Sequence, residues 1–227
     1  LTDDWQFSRD RQQWQTVSVP HDWAISGPFD KKWDLQVVAI TQNGEKEATE
    51  KSGRSGALPW IGEGWYRTSI DVPAGYESAE LVFDGAMAEP RVTVNGTEAG
   101  YWAYGYNAFR VDVTPYIKSG KLDIGVHLQN VEESSRWYPG AGLYRPVTLI
   151  LKQKAHFDDW SLFARTISIE KDKTIVEVEG RTVNARGMHV FLQLAGPDGR
   201  KANNEVRIEH DGKFYAKFVL RNPQLWT

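Results

Sequence analysis

Lys121-Leu-Asp-Ile-Gly-Val-His-Leu-Gln129 carries an apolar side chain at 122, 124, 126 and 128, with a polar or small residue between each pair. Strict alternation is the period of a strand, whose successive side chains point to opposite faces, and not the 3.6-residue period of a helix. The stretch predicts a half-buried β-strand, and its neighbours repeat the pattern. Upstream, Tyr66, Thr68, Ile70 and Val72 alternate with Arg67, Ser69 and Asp71, and a short run Leu81-Val-Phe83 ends at Asp84-Gly85. Val92 and Val94 run into Asn95-Gly96, a pair that tolerates the positive φ of a hairpin turn. Downstream, Val147, Leu149 and Leu151 predict one more strand. Helical periodicity is nearly absent.

Lys152-Gln-Lys-Ala155 is a polar break. Beyond it come Ile175–Val178, Val190–Leu194, Val206–Ile208 and Phe214–Leu220, punctuated by Asp198-Gly199 and Asp211-Gly212. Short strands at ~8–12-residue spacing predict β-sandwiches. The chain therefore reads as two all-β domains, residues 1–152 and 153–227. The second has 75 residues and about five strand patterns, fewer than the ~100 residues and ~7 strands of an immunoglobulin-like sandwich. It is expected to lack its final strands. The chain starts at Leu1 without Met and stops at Asn222-Pro-Gln-Leu-Trp-Thr227, which suggests a piece of a longer protein.

Composition narrows the function classes. With 227 residues, 41% hydrophobic and 25% charged, the chain is an ordinary globular one and not collagen-like, coiled-coil or disordered. No apolar run approaches the ~18 residues of a membrane helix. The net charge of −3 is spread among interspersed signs, without the basic stripe that nucleic-acid binding requires. The absence of cysteine excludes disulfide scaffolds, thiol nucleophiles and Cys-based zinc sites. It leaves the compartment open, with periplasm or secretion favoured over cytoplasm. The ten Trp, nine Tyr and nine Phe suit strand cores, and some of them suit the flat apolar faces of sugars.

Self-contained catalytic machinery is not evident. There is no Gly-x-Ser-x-Gly elbow and no Walker loop. Gly62-x-Gly64 and Gly140-x-Gly142 lack the third glycine of a dinucleotide fingerprint. The histidines, His21, His127, His156, His189 and His210, have no zinc-pair spacing, so neither a metal nor a cofactor is expected. Asp158-Asp159 and Glu132-Glu133 are adjacent, which on a strand points them apart. His21-Asp22 reads either as a general base with its orienter or as a hydrogen-bonded turn. Asn95-Gly96-Thr97 matches a glycosylation acceptor, but the hairpin reading is the stronger. Residues 24–63 form an unusually long connection, a kind that is often functional when ordered. The richest constellation is Ser134-Ser-Arg-Trp-Tyr-Pro-Gly-Ala-Gly-Leu-Tyr-Arg145. Its Arg offers fixed donors for hydroxyls or carboxylates, and its aromatics offer stacking faces or a plug for the end of a sandwich.

Six segments in order resemble the N-terminal part of glycoside hydrolase family 2 enzymes, bacterial β-galactosidases especially. They are Trp14-Gln-Thr-Val-Ser-Val-Pro-His-Asp-Trp23 with Gly27-Pro-Phe-Asp30, Gly62-Glu-Gly-Trp-Tyr-Arg67, Leu81-Val-Phe-Asp-Gly-Ala86, Val92-Thr-Val-Asn-Gly96, Gly105-Tyr-Asn-Ala-Phe-Arg-Val-Asp-Val-Thr114 and the 134–145 motif. The resemblance covers roughly residues 2–150. It implies a jelly-roll, galactose-binding-like sandwich followed by an immunoglobulin-like sandwich. In the family a (β/α)₈ barrel follows, with a Glu acid/base and a Glu nucleophile; neither has a counterpart here. What carries over is substrate contact at the barrel mouth, with Arg136 first, then Tyr138, Trp137 and Asp22, and with the loop before Gly64. The partners implied are a β-galactoside, held together with the absent barrel, and further copies of the full-length enzyme in a homo-oligomer. Residues 31–60 are longer and more polar than the Gly-rich loop of related enzymes. β-Glucuronidases and β-mannosidases share this domain order. A free-standing carbohydrate-binding module and a purely structural sandwich pair are the other readings.

Overall fold

The computed structural model describes residues 1–34, 56–131 and 138–223. The chain divides into two compact units, Leu1–Leu151 and Lys152–Thr227. Unit 1 contains β1 (Trp5–Ser8), β2 (Gln15–Val17), β3 (Gly62–Asp71), β4 (Ser78–Phe83), β5 (Arg91–Val94), β6 (Thr97–Tyr101), β7 (Phe109–Asp112), β8 (Lys121–Asn130) and β9 (Val147–Lys152). The helical content among the described residues is two 3₁₀ turns, Lys31–Asp34 and Thr114–Ser119, and no helix is long and apolar enough to cross a membrane.

Six strands form one sheet in the order β2-β1-β3-β8-β5-β6, and three form a second in the order β7-β4-β9. The opening sequence stretch lies on β8, at the middle of the larger sheet. There Tyr66 of β3 pairs with Val126, Thr68 with Ile124 and Ile70 with Leu122. A slip by one residue would turn every apolar group on β8 outward. Trp5, Phe7, Tyr66, Val92, Val94, Leu122, Ile124, Val126 and Leu128 from the large sheet meet Ala79, Leu81, Phe83, Phe109, Val111 and Val147 from the small one in a single core. Each large apolar side chain buried in it contributes about 1.5–3 kcal/mol. Asn95 and Gly96 have φ of 50° and 80° and turn β5 into β6. The Asn95 side chain is engaged there, donating to Lys121 O (3.3 Å) and accepting from Asp123 N (2.8 Å).

Unit 2 contains β10 (His156–Phe157), β11 (Phe163–Ile169), β12 (Lys173–Val183), β13 (His189–Ala195), β14 (Lys201–Arg207) and β15 (Lys213–Arg221). β12 pairs with β15 along one edge and with β10 and β11 along the other. β13 and β14 form a separate hairpin. Val178, Phe214, Ala216 and Phe218 pack with Val190 and Ile208 in this unit's own core. The outward face of β12 and β15 carries Glu177 between Arg165 and Lys217, with the Tyr215 hydroxyl donating to the same carboxylate. Two sandwiches in series are the all-β arrangement that the strand periodicity predicts. Asp158 faces Arg181 (3.8 Å) and Asp159 faces Lys152 (2.7 Å), so these adjacent carboxylates diverge.

Candidate functional site

Four connections of unit 1, β2–β3, β4–β5, β6–β7 and β8–β9, are tied together by backbone at one end of the sandwich. The last of them is the hub. His21 N donates to Leu143 O (2.8 Å) and Trp23 N to Ala141 O (2.9 Å). Met87 and Gly142 exchange a pair of N–H···O bonds, both 3.0 Å. The Tyr144 hydroxyl donates to Gly105 O at 2.9 Å. Glycine is required at this hub. Gly142 has φ +119°, and a Cβ there would strike the Tyr66 hydroxyl and fall 2.7 Å from His21 O. Gly64 lets the Trp23 indole lie on β3, since a Cβ would come within 2.8 Å of Trp23 Cε3 and 3.0 Å of Phe7 Cε2. Asn130, buried at the end of β8, donates from Nδ2 to Trp60 O (3.0 Å) and Gly140 O (3.4 Å).

The long β2–β3 connection is fastened at its stems. Asp30 N donates to Ala57 O at 3.0 Å. The Arg9 guanidinium donates to Ile61 O (3.0 Å) and Pro59 O (3.5 Å) and lies over the Trp23 ring. Most of the 31–60 segment singled out by sequence lies outside the described residues.

Asp22 and Tyr138 meet at this end. The Tyr138 hydroxyl donates to Asp22 Oδ2, and Ala24 N donates to Asp22 Oδ1 at 3.0 Å. Both side chains are half-buried. Burial raises the Tyr138 pKa above the usual phenol range, and the Asp22 carboxylate raises it further. The proton stays on the phenol, so its oxygen keeps lone pairs for a ligand donor, and Asp22 has acceptor sites left after these two bonds. Arg136 and Trp137 lie outside the described residues; Tyr138 directly follows them in sequence.

His21 does not hydrogen-bond to Asp22. Its Nδ1 is 2.7 Å from the Tyr66 hydroxyl, so of the two readings of His21-Asp22 the turn is the one observed. Burial lowers the His21 pKa against the opposing pull of Asp22, and burial raises that of Tyr66. Burial thus favours the neutral form of the His21 imidazole, which packs against Phe7 and Tyr66. Arg145 donates to Asp84 O (3.3 Å) and Tyr106 O (3.2 Å) and stacks over Tyr144. Sequence reasoning did not find Tyr66 or Asn130 as organisers of this end; a polar Asn closing an otherwise apolar strand face was the available signal for Asn130. Among the described residues no group of three or more His, Cys, Asp or Glu gathers as a metal site.

Residues 1–153 match the family described as "Glycosyl hydrolases family 2, sugar binding domain". The chain is 30% identical over 226 residues to Beta-galactosidase BoGH2A of Bacteroides ovatus, covering 94% of this chain and 25% of that protein. It is 30% identical over 227 residues to a putative beta-glucuronidase of Formosa agariphila, covering 96% of this chain and 20% of that protein. The chain thus spans about a fifth to a quarter of the length of these curated relatives. Among solved structures, a beta-glycosidase from Bacteroides vulgatus superposes with a TM-score of 0.73 at 24% identity, over 100% of this chain and 29% of that one. A glycosyl hydrolase family 2 member from Bacteroides cellulosilyticus gives 0.72, also at 24% identity, over 100% of this chain and 31% of that one. These likenesses extend the shared fold across both units. With its first two-thirds matching the sugar binding domain, the chain belongs to glycosyl hydrolase family 2.

Proposed function

We propose that this chain is the non-catalytic N-terminal part of a retaining β-glycosidase, a β-galactosidase that hydrolyses terminal β-D-galactosides. In this reading, residues 1–152 are the jelly-roll domain and 153–227 part of an immunoglobulin-like domain. The acid/base and nucleophile reside on a barrel outside these residues. The loop end of unit 1 forms the rim of the sugar pocket, because active sites of such barrels lie at the strand C-terminal face, where added loops supply specificity. Arg136 and Tyr138 hold sugar hydroxyls, Trp137 offers a ring face, and Asp22 fixes Tyr138 and accepts from the ligand. Holding the sugar in register with the acid lowers the entropic part of the barrier.

The observation that carries the reading is the Tyr138–Asp22 hydrogen bond. It joins two loops whose residues the family resemblance implies for substrate contact. The test is kinetic: in the full-length protein, Arg136→Ala is expected to reduce kcat/KM for an aryl β-galactoside clearly, while the 227-residue chain alone is expected to cleave none. Unchanged turnover in the variant would remove the assignment, and activity of the isolated chain would remove the non-catalytic role. The similarity to a putative beta-glucuronidase favours a second reading, in which the rim receives a uronic acid. Comparing aryl β-galactoside with aryl β-glucuronide hydrolysis by the full-length protein decides between them.

A further inference from the structure

Three aromatic rings form a parallel stack that runs from the core of unit 1 to its surface. Phe83 on β4 is fully buried and lies 4.7 Å from Phe109 on β7, with an interplanar angle of 3°. Phe109, 5% exposed, lies 5.9 Å from Trp102, with an interplanar angle of 7°. Trp102 ends the series, and 39% of its surface is open. Its backbone is fixed as well, with Trp102 N donating to Pro90 O at 3.1 Å. A large indole in water is ordinarily a liability. Here it is held flat, so little rotamer freedom remains to be lost when a ligand settles on it.

The rest of the strip is of one kind. Residues 101–106 read Tyr-Trp-Ala-Tyr-Gly-Tyr, with no aliphatic side chain larger than alanine. Tyr104 is 56% and Tyr106 42% exposed, and their rings lie 5.5 Å apart. The Tyr144 hydroxyl donates to Gly105 O, on the backbone between them, at 2.9 Å. The exposed Arg145 guanidinium is anchored on Tyr106 O, at the edge of the same strip. A rigid ring face bordered by hydroxyls and a guanidinium matches a pyranose, which has an apolar C–H face and a rim of hydroxyls.

We propose that Trp102, with Tyr104 and Tyr106, forms a glycan platform that stacks a sugar ring of an oligosaccharide or polysaccharide chain. This goes beyond the contacts to a terminal sugar described above, because it uses different residues and recognises an extended glycan. The ring stack supplies the rigidity, and the tyrosine hydroxyls supply the polar contacts.

The test is native electrophoresis of the full-length protein through gels cast with individual polysaccharides, among them β-galactan, β-glucan, β-mannan and a polyuronate. Retardation by at least one of them is expected, with apparent affinity falling about tenfold or more in Trp102→Ala. Tyr104→Ala, at a more exposed position, is expected to weaken it too and stands in if Trp102→Ala fails to fold. Phe191→Ala, which removes a 75% exposed ring on unit 2, is expected to be retarded as wild type, which separates the strip from a general effect of exposed aromatic side chains. Migration unaffected by every polysaccharide, or equal retardation of wild type and both strip variants, would overturn the platform. So would concentration-dependent self-association in sedimentation that Trp102→Ala or Tyr104→Ala abolishes, because a second copy would then cover the strip.

Discussion

Tyr138 donates its phenolic hydrogen to Asp22 across 116 positions of sequence. The bond closes the β8–β9 connection onto the β2–β3 connection beside the paired backbones of His21–Leu143 and Trp23–Ala141. A hydrogen bond to a charged group contributes about 1.5–3 kcal/mol, so Tyr138→Phe is expected to lower kcat/KM of the full-length protein roughly tenfold or more. Asp22→Ala also strips the partner from Ala24 N and is expected to be worse. Steady-state kinetics on an aryl glycoside, with thermal melting as the folding control, check both; Asp22→Ala turning over faster than Tyr138→Phe would contradict the arrangement.

His21 gives the fold an acid sensitivity of known sign. Its pKa is lowered in the folded state by burial, whereas in the unfolded chain it titrates near the ordinary value of about 6.5. Above that value the imidazole is neutral in both states. As pH falls below it, the unfolded chain takes up a proton that the folded chain resists, so stability declines until the folded group protonates as well. Urea unfolding at pH 7.5 and 5.5 is expected to show this decline, with a smaller one in His21→Gln. An equal decline in both proteins would mean that other groups account for it.

Gly142→Ala combines two costs, a left-handed φ of +119° and a Cβ directed at the Tyr66 hydroxyl and His21 O. Strain of this kind costs of order 1–3 kcal/mol before the steric clash is added. A melting temperature lowered by several degrees is expected, whereas Gly75→Ala, with a similar φ of +97° but open space around it, is expected to lose less. Equal losses would show that backbone conformation alone sets the cost.

Asn130→Ala leaves the carbonyls of Trp60 and Gly140 without their buried donor. Each lost hydrogen bond costs about 0.5–1.5 kcal/mol. Hydrogen exchange is the sharper measurement: faster exchange is expected at Trp23 N, which bonds to Ala141 O beside Gly140, with β8 Ile124 unchanged. Uniform acceleration across unit 1 would instead mean global destabilisation.

The legible parts of the sequence were those with a one-sided environment. β3 and β8 each keep one face in the core, so their alternation is visible, and Asn95-Gly96 announces its turn by the φ it must adopt. β1 reads Trp-Gln-Phe-Ser, an alternation only four residues long, and the burial of Ser8 beside Phe7 is not visible in it. β11 is exposed along nearly its whole length and offers no burial contrast. β14 reads Lys-Ala-Asn-Asn-Glu-Val-Arg; Asn204, on its inner face opposite Leu192, bonds to Lys217 O, a polar insertion that hides all but the end of the strand at Val206. At the site, Asp22 and Tyr138 each stood out in their own motifs. Their meeting was not legible, because it depends on how loops from distant strands converge.

The clasp of Asp30 N on Ala57 O, with Arg9 gripping Pro59 and Ile61 beside it, insulates the sandwich from whatever polypeptide is spliced between the two clasped ends. Doubling the length of such a segment costs only about 0.6 kcal/mol in closure entropy. A segment of different length or composition between the two clasped ends would therefore leave the scaffold's stability nearly unchanged, which makes this connection a tolerant place to graft new polypeptide.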